Sequence, residues 1–358
     1  MDEKKYGVLD LFAGCGGLSL GFQMAGFQIR GGIDFKEDAI KTYAFNFKNT
    51  TNYSKDIKEI SEKEILQHYG EIDIIVGGPP CQGFSSANMW QKDQNQDDRN
   101  LLFFEFIRFV KLLRPKIILL ENVKEILTKG KGEIKRKIEE ELSNLGYEVT
   151  NKILLASDHG VPQKRRRNFF IGITKSLKNK FDFDKLKKSE TISVEEAISD
   201  LYDLEKIEGE LILNKPKSKY QKLMRKKSKD EVHNHALRYP NEKVIQRMKY
   251  VKEGENWSAV PEQLWDRKRD NRHSSAYKRL DSKDVSITID TGHMNYFHPK
   301  FNRVPTVRES ARLQSFPDNF IFIGSQTSQL KQVGNAVPPL LAMEIAKLIK
   351  KMLVENSL

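Results

Sequence analysis

The sequence predicts an α/β protein: a mostly parallel, doubly wound sheet with helices on both faces, joined to a smaller irregular domain across a cleft. Three observations predict it. Up to about Lys175, short apolar runs alternate with amphipathic segments, the pattern of a sheet buried on both sides. Several of these runs end in turns rich in glycine, proline or acid, where α/β sheets hold their ligands. Beyond Lys175 the alternation gives way to Lys-rich sequence, and regular patterning resumes only near Thr306. With 358 residues the chain exceeds the roughly 150 typical of one domain. The expected division is a catalytic and cofactor-binding domain over residues 1–175, a second domain over 176–303 and a C-terminal segment over 304–358 that returns to the first domain.

Taken in order, the apolar runs Tyr6 to Phe12, Gln28 to Asp34, Ile72 to Gly77, Ile117 to Glu121, Glu148 to Leu155 and Phe169 to Ile173 read as buried strands. Helices are expected at Leu18 to Ala25, Glu37 to Asn46, Leu101 to Leu113 and Ile134 to Asn144. Strand and helix taken strictly in turn imply a mostly parallel sheet covered on both faces. In the second region a helix is expected at Val194 to Tyr202, while Trp257, Trp265 and the VSITI run at Val285 to Ile289 supply enough apolar surface to fold. The segment VPPLLAMEIAKLIKKML reads as a helix started by proline and carrying an apolar stripe, packed back on the first domain.

Composition narrows the class. Only two cysteines occur, Cys15 and Cys81, both in glycine-bearing turns, which points to a reducing compartment without disulfides. The N-terminal MDEKKYGVLDLF has no apolar leader core, and no run approaches the roughly 18 residues of a membrane helix, so a soluble cytoplasmic protein is expected. Lys plus Arg total 61 against 49 Asp plus Glu, a net charge of +12 concentrated at Lys175 to Lys188, Lys215 to Lys229 and Arg267 to Arg279. Such an excess suits a polyanionic partner or a solvated face.

Four stretches carry chemistry. In LDLFAGCGGLSLGF, Gly14, Gly16 and Gly17 follow a strand and open a helix, so backbone N–H groups approach a ligand closely. A plain tight turn is the alternative. Asp34 ends the next strand and Phe35 follows, a carboxylate for ribose hydroxyls beside a ring for a purine, with Asp56 and Ile57 placed for the adenine edge. In GGPPCQGFS, Pro79 and Pro80 fix the backbone so that Cys81 leaves a strand tip ahead of a long polar loop; a nucleophile fits that position better than a buried structural thiol. In ENV, Glu121 ends an apolar strand, where partial desolvation suits a proton donor, while Asn122 could serve as a helix cap. In QKRRRNFF, Arg165 and Arg167 stand two apart and are expected on one strand face, set to meet negative charge.

FAGCGG, GGPPCQGFS, ENV, QKRRR, RESARLQSFPD and QVGNAVPP, in this order, resemble the cytosine-5 DNA methyltransferases of bacterial type that use S-adenosylmethionine. The likeness runs from about Tyr6 to Leu353, and PPCQ with ENV is its most specific part. It implies a Rossmann-like methyltransferase domain, a target-recognition domain over about Lys175 to Arg303, and a methyl donor converted to S-adenosylhomocysteine, with no metal. It implies that Cys81 adds to C6 of a cytosine flipped out of double-stranded DNA, that Glu121 holds N3 and the exocyclic amine, that Arg165 contacts the base carbonyl and that Arg167 supports it. The cofactor pocket would gather Phe12, Ala13, Gly14, Gly16, Gly17, Leu18, Asp34, Phe35, Asp56, Ile57, Pro80, Leu102, Asn335 and Ala336. The loop from Gln82 to Asn100 would close over DNA, with Ser85 and Arg99 on phosphates, while Arg272, Arg279, Thr288, Thr291 and His293 would reach bases. Arg308 and Arg312 would hold the hinge between domains. A monomer is expected, working beside a restriction endonuclease in a modification system.

Rival readings lose ground on particular residues. A transfer-RNA cytosine methyltransferase would carry a CFT tripeptide, absent here; an inactive DNA-binding paralogue would lack Cys81 or Glu121; a nicotinamide oxidoreductase gives PPCQ and QKRRR nothing to do; and a cysteine hydrolase would want a histidine near Cys81.

Overall fold

The computed structural model describes residues 5–80, 101–177, 180–202, 210–211, 214–266, 276–291 and 296–356. The chain divides into two compact units: Met1–Leu155, Arg166–Lys187 and Pro339–Leu358 form the first, and Ala156–Arg165 with Lys188–Pro338 form the second. Compared with the expected division, residues 156–165 and 304–338 group with the second unit, and the final helix groups with the first.

In the first unit seven strands form one sheet: β1 (Gly7–Leu11), β2 (Gln28–Asp34), β3 (Thr51–Ser54), β4 (Ile74–Gly77), β5 (Ile117–Val123), β6 (Tyr147–Leu155) and β7 (Arg166–Thr174). Their order across the sheet is β3-β2-β1-β4-β5-β7-β6. The five on the β3 side are mutually parallel. β7 runs antiparallel to both of its neighbours, with Glu121 opposite Phe169 and Val123 opposite Arg167. Strict alternation fails at one place: no α-helix separates β6 from β7, only a short 3-10 turn at Ala156–His159. The four-residue TNYS edge strand, β3, was also not expected. It lacks the apolar alternation by which strands announce themselves.

Helices α1 (Gly17–Met24), α2 (Glu37–Asn46), α3 (Glu62–Tyr69), α4 (Leu101–Leu113) and α5 (Glu133–Asn144) connect the strands. Ser61 caps α3 through a reciprocal capping box with Glu64. One buried core joins Leu9, Leu11, Ile75, Ile118 and Leu120 of the strands to Phe103, Phe106, Phe109, Ile138 and Leu142 of α4 and α5. The helix Pro339–Glu355 packs against α1, and Gly21 is what lets them meet. A Cβ at Gly21 would lie 2.4 Å from the Ala342 Cβ and 2.7 Å from the Met343 amide nitrogen.

The second unit is built from short elements: α6 (Val194–Ile198), α7 (Lys219–Arg225), α8 (Glu242–Met248), α9 (Val307–Leu313) and α10 (Gln326–Asn335), which makes the Pro339–Glu355 helix α11. Two-residue strands pair as Glu210–Leu211 with Glu231–Val232 and as Lys278–Arg279 with Tyr296–Phe297. With so little regular structure, buried polar networks do much of the joining. Arg312 is fully buried, donates to both Asp318 oxygens at 2.8 and 2.7 Å, and also meets Asp200 and the Ala197 carbonyl. Arg308 donates to the carbonyls of His233, Pro317 and Phe320. These partners all lie within the second unit, so the described bonds of both arginines serve its interior.

Candidate active site

The carboxyl edge of the first unit's sheet gathers the chemistry. At the end of β1 the chain turns sharply: Phe12 and Gly14 take positive φ of 59° and 54°, and Gly16 follows at 97°. Gly16 admits no side chain, because a Cβ there would stand 2.4 Å from the Phe47 ring and 2.9 Å from the Tyr43 ring. Gly14 differs, since a Cβ would meet nothing within 4 Å, leaving open space above the loop. The Gly14 amide donates to one Asp34 oxygen and the Lys36 amide to the other, each at 2.9 Å. Burial raises the Asp34 carboxyl above its ordinary range, against the pull of these donors. Phe35 beside it is 66% exposed, a large apolar ring presented to solvent next to a carboxylate. Along the same edge Asp56 is exposed, with its side chain taking the Lys58 amide, while Ile57 is buried and its carbonyl accepts from Arg108. Leu102 is half-buried against the core of this unit. Open room over a glycine, a ring and acceptor carboxylates fit an adenosine-bearing ligand.

At the end of β4, Pro79 is buried and Pro80 half-buried. The Asn122 amide donates to the Pro79 carbonyl at 2.9 Å, and its oxygen accepts the Val123 amide. Asn122 therefore fixes the segment that leads into Cys81; the described bonds place it there rather than on a helix end. Glu121 lies one residue earlier, and a Cβ on Gly78 would come within 2.9 Å of its Oε2, so glycine keeps that approach clear. Arg167 donates from Nε to Glu121 Oε1 at 2.9 Å, with both side chains more than four-fifths buried. Position 167 is the diagonal neighbour of 121 across the antiparallel β5–β7 pair, and this puts their side chains on one face. Cys81, Ser85, Arg99, Arg272 and His293 lie outside the described residues.

Arg165 departs from expectation. Strand β7 begins at Arg166, so the period-two argument does not reach Arg165. It is 2% exposed in the second unit, and its guanidinium donates to the carbonyls of Ile289 and Gly334 at 3.4 and 2.9 Å. Arg279 needs a correction as well. It is buried, and its five N–H groups are spent on the carbonyls of Val251, His298, Phe301 and Met248 and on Asn302 Oδ1. A guanidinium so engaged cannot reach a base edge. Thr288 is exposed but its hydroxyl donates to the Lys164 carbonyl, and Thr291 is half-buried. Asn335 is exposed at the end of α10; the Ala336 carbonyl accepts from Gln314. Sequence reasoning missed Gln163 and Gln314, buried amides bonded to each other, with Gln163 also accepting from Ile289. Their only sequence signal was that each stands within a quoted motif.

Comparison with known proteins identifies the family and the fold. The family model for C-5 cytosine-specific DNA methylase matches residues 6–351. The type II methyltransferase M.DdeI of Desulfomicrobium norvegicum is 40% identical over 369 residues, covering 96% of this chain and 88% of that protein. M1.HphI of Haemophilus parahaemolyticus is 38% identical over 346 residues, with 96% and 86% covered. Among solved structures, a prophage-encoded E. coli protein proposed to be a DNA modification methyltransferase superposes with a TM-score of 0.81 at 29% identity, covering 98% of this chain and all of that one. A Dnmt2 methyltransferase from S. pombe shares the fold at a TM-score of 0.63 and 17% identity, with 99% of this chain and 100% of that one covered. With a glycine-loop edge, an Asn-held PP segment and a Glu–Arg pair in place, the chain belongs to the C-5 cytosine-specific DNA methylase family.

Proposed function

We propose that this enzyme flips one cytosine of a specific site in double-stranded DNA out of the helix and methylates its C5 through a transient bond from Cys81 to C6. The observation that carries this reading is the Glu121–Arg167 pair at 2.9 Å, set one residue from the Asn122 amide that holds the Pro79 carbonyl. Cytosine C5 is a poor nucleophile until the ring becomes an enamine. Cys81 thiolate adds to C6 while Glu121 holds N3 and the exocyclic amine, steadying the negative charge that spreads over the ring. Arg167 keeps Glu121 oriented and takes over the contact to the base carbonyl first expected of Arg165. Removal of the C5 proton and expulsion of Cys81 then restore aromaticity.

Membership of the family implies S-adenosylmethionine, which when bound supplies the electrophilic methyl group. Gly14, Asp34 and Phe35 would hold it, with Asp56, Ile57, Pro80 and Leu102 lining the same sheet edge. The second unit would read the target, with Thr288, Thr291, Arg272 and His293 as candidates and Ser85 and Arg99 on phosphates. The relatives named as type II methyltransferases support a role as the modification half of a restriction system. A monomer acting on DNA in the cytoplasm completes the proposal. No described helix is long and apolar enough to cross a membrane.

Expression in a host lacking cytosine methylation, followed by bisulfite sequencing, tests this. Methylated cytosines confined to one short sequence are expected, and they should vanish with Cys81→Ser; unmethylated DNA from the wild-type chain would overturn the reading.

A further inference from the structure

Beneath the glycine loop lies a buried polar chain that the reaction does not use. Asp10, on β1, is 1% exposed. Its Oδ2 stands 2.7 Å from the Ser19 hydroxyl and takes the Ser19 amide at 3.3 Å. The Ser19 hydroxyl is 2.7 Å from the Tyr43 hydroxyl, which is 3.0 Å from the Gly31 carbonyl. Three oxygen-to-oxygen contacts thus run in series, yet the two hydroxyls supply only two protons. With Asp10 ionised, one close contact would hold two oxygens and no hydrogen. With Asp10 protonated, each contact carries one proton, directed from Asp10 to Ser19, to Tyr43, to Gly31. The other oxygen, Oδ1, is buried and meets no hydrogen-bond partner among the described residues. That is a modest cost for a neutral acid and a heavy one for a carboxylate.

We propose that Asp10 is a positioning residue for the Gly14–Gly17 loop and does this as a neutral carboxylic acid, its proton completing the chain to Gly31. The chain joins β1, the first turn of α1, α2 and β2, the four elements that flank the loop, and the Tyr43 ring lies directly under Gly16. The titratable neighbours agree: Asp34, the Tyr43 phenol and the Cys15 thiol offer no positive charge to hold a carboxylate. Burial pushes the Asp10 carboxyl up to about 7, the Ser19 bonds oppose this, and the Asp34 charge adds to it. An acid held above its unfolded value of about 3.9 contributes stability that is present below that value and is lost as pH rises through about 7.

Thermal unfolding of the wild-type chain and Asp10→Asn between about pH 5 and pH 9 tests this. The wild type should lose stability relative to the variant as pH rises, and its infrared spectrum near pH 6 should carry a protonated-carboxyl band that Asp10→Asn lacks. Should Asp10→Asn fail to fold, Tyr43→Phe serves instead, because shortening the chain removes the need for the third proton and moves the pH window down. Parallel unfolding curves, or a carboxylate band in place of the acid band, would overturn the proposal. The positioning role is read from S-adenosylhomocysteine, whose sulfur is uncharged: its affinity should fall at least about threefold from pH 6 to pH 9 in the wild type and stay level in the variant. Identical binding profiles would refute positioning. This arm rests on the reading of the loop as the methyl-donor site, and if neither protein bound the probe, that reading would fall while unfolding and infrared still decided the acid.

Discussion

Glu121 meets the Arg167 guanidinium inside the first unit, whereas Arg165, two residues earlier, spends its guanidinium on the backbone of Ile289 and Gly334 in the second. The two arginines should therefore fail differently when removed. On the proposed mechanism Arg167→Ala takes away a charge beside developing negative charge, so single-turnover methyl transfer should fall by about 10²-fold or more with the fold intact. Arg165→Ala strips partners from buried carbonyls and should show first as a lower unfolding temperature. Equal rate losses with no change in unfolding would overturn the division. Motif spacing made both arginines visible, but it could not reveal that β7 starts between them, since a strand's first residue depends on what pairs with it. Arg279 shows the same limit: basic residues look alike in sequence, and only the carbonyls folded around this one mark it as interior.

At the level of elements, the parallel half of the sheet was legible because buried parallel strands are written as near-continuous apolar runs. β3 was not, being a short polar edge, and the antiparallel entry of β7 was not, because strand direction is set by the connection rather than by composition. The contact between α1 and α11 offers a test in which two effects oppose. Helix propensity alone favours Gly21→Ala by about 1 kcal/mol. The added methyl would meet Ala342 and the Met343 backbone, and overpacking of that kind costs about 1–3 kcal/mol. Gly21→Ala should thus unfold at a lower temperature or lower denaturant than the wild type; a more stable variant would mean that α11 yields easily.

For the molecule as a whole, the excess of positive charge becomes specific around α7, where Lys215, Lys217, Lys219, Lys222, Lys226, Lys227 and Lys229 are all exposed. These lysines are expected on phosphates. Changing Lys219, Lys222 and Lys226 to Gln should weaken DNA binding and flatten its dependence on salt, by about one unit of log–log slope for every phosphate no longer neutralised, while the methylated sequence stays the same. An altered target would instead place α7 among the elements that read bases. The return of α11 to the first unit carries a further consequence for synthesis. The sheet is translated early, but the helix that covers α1 follows the entire second unit, so a ribosome must add residues 188–338 before the apolar stripe of Leu341, Ile345 and Ile349 can cover it. A nascent or prematurely terminated chain would hold the glycine loop and the PP segment on an unfinished support, with sticky surface that invites chaperones, and competence to mark DNA would arrive only once α11 has been made.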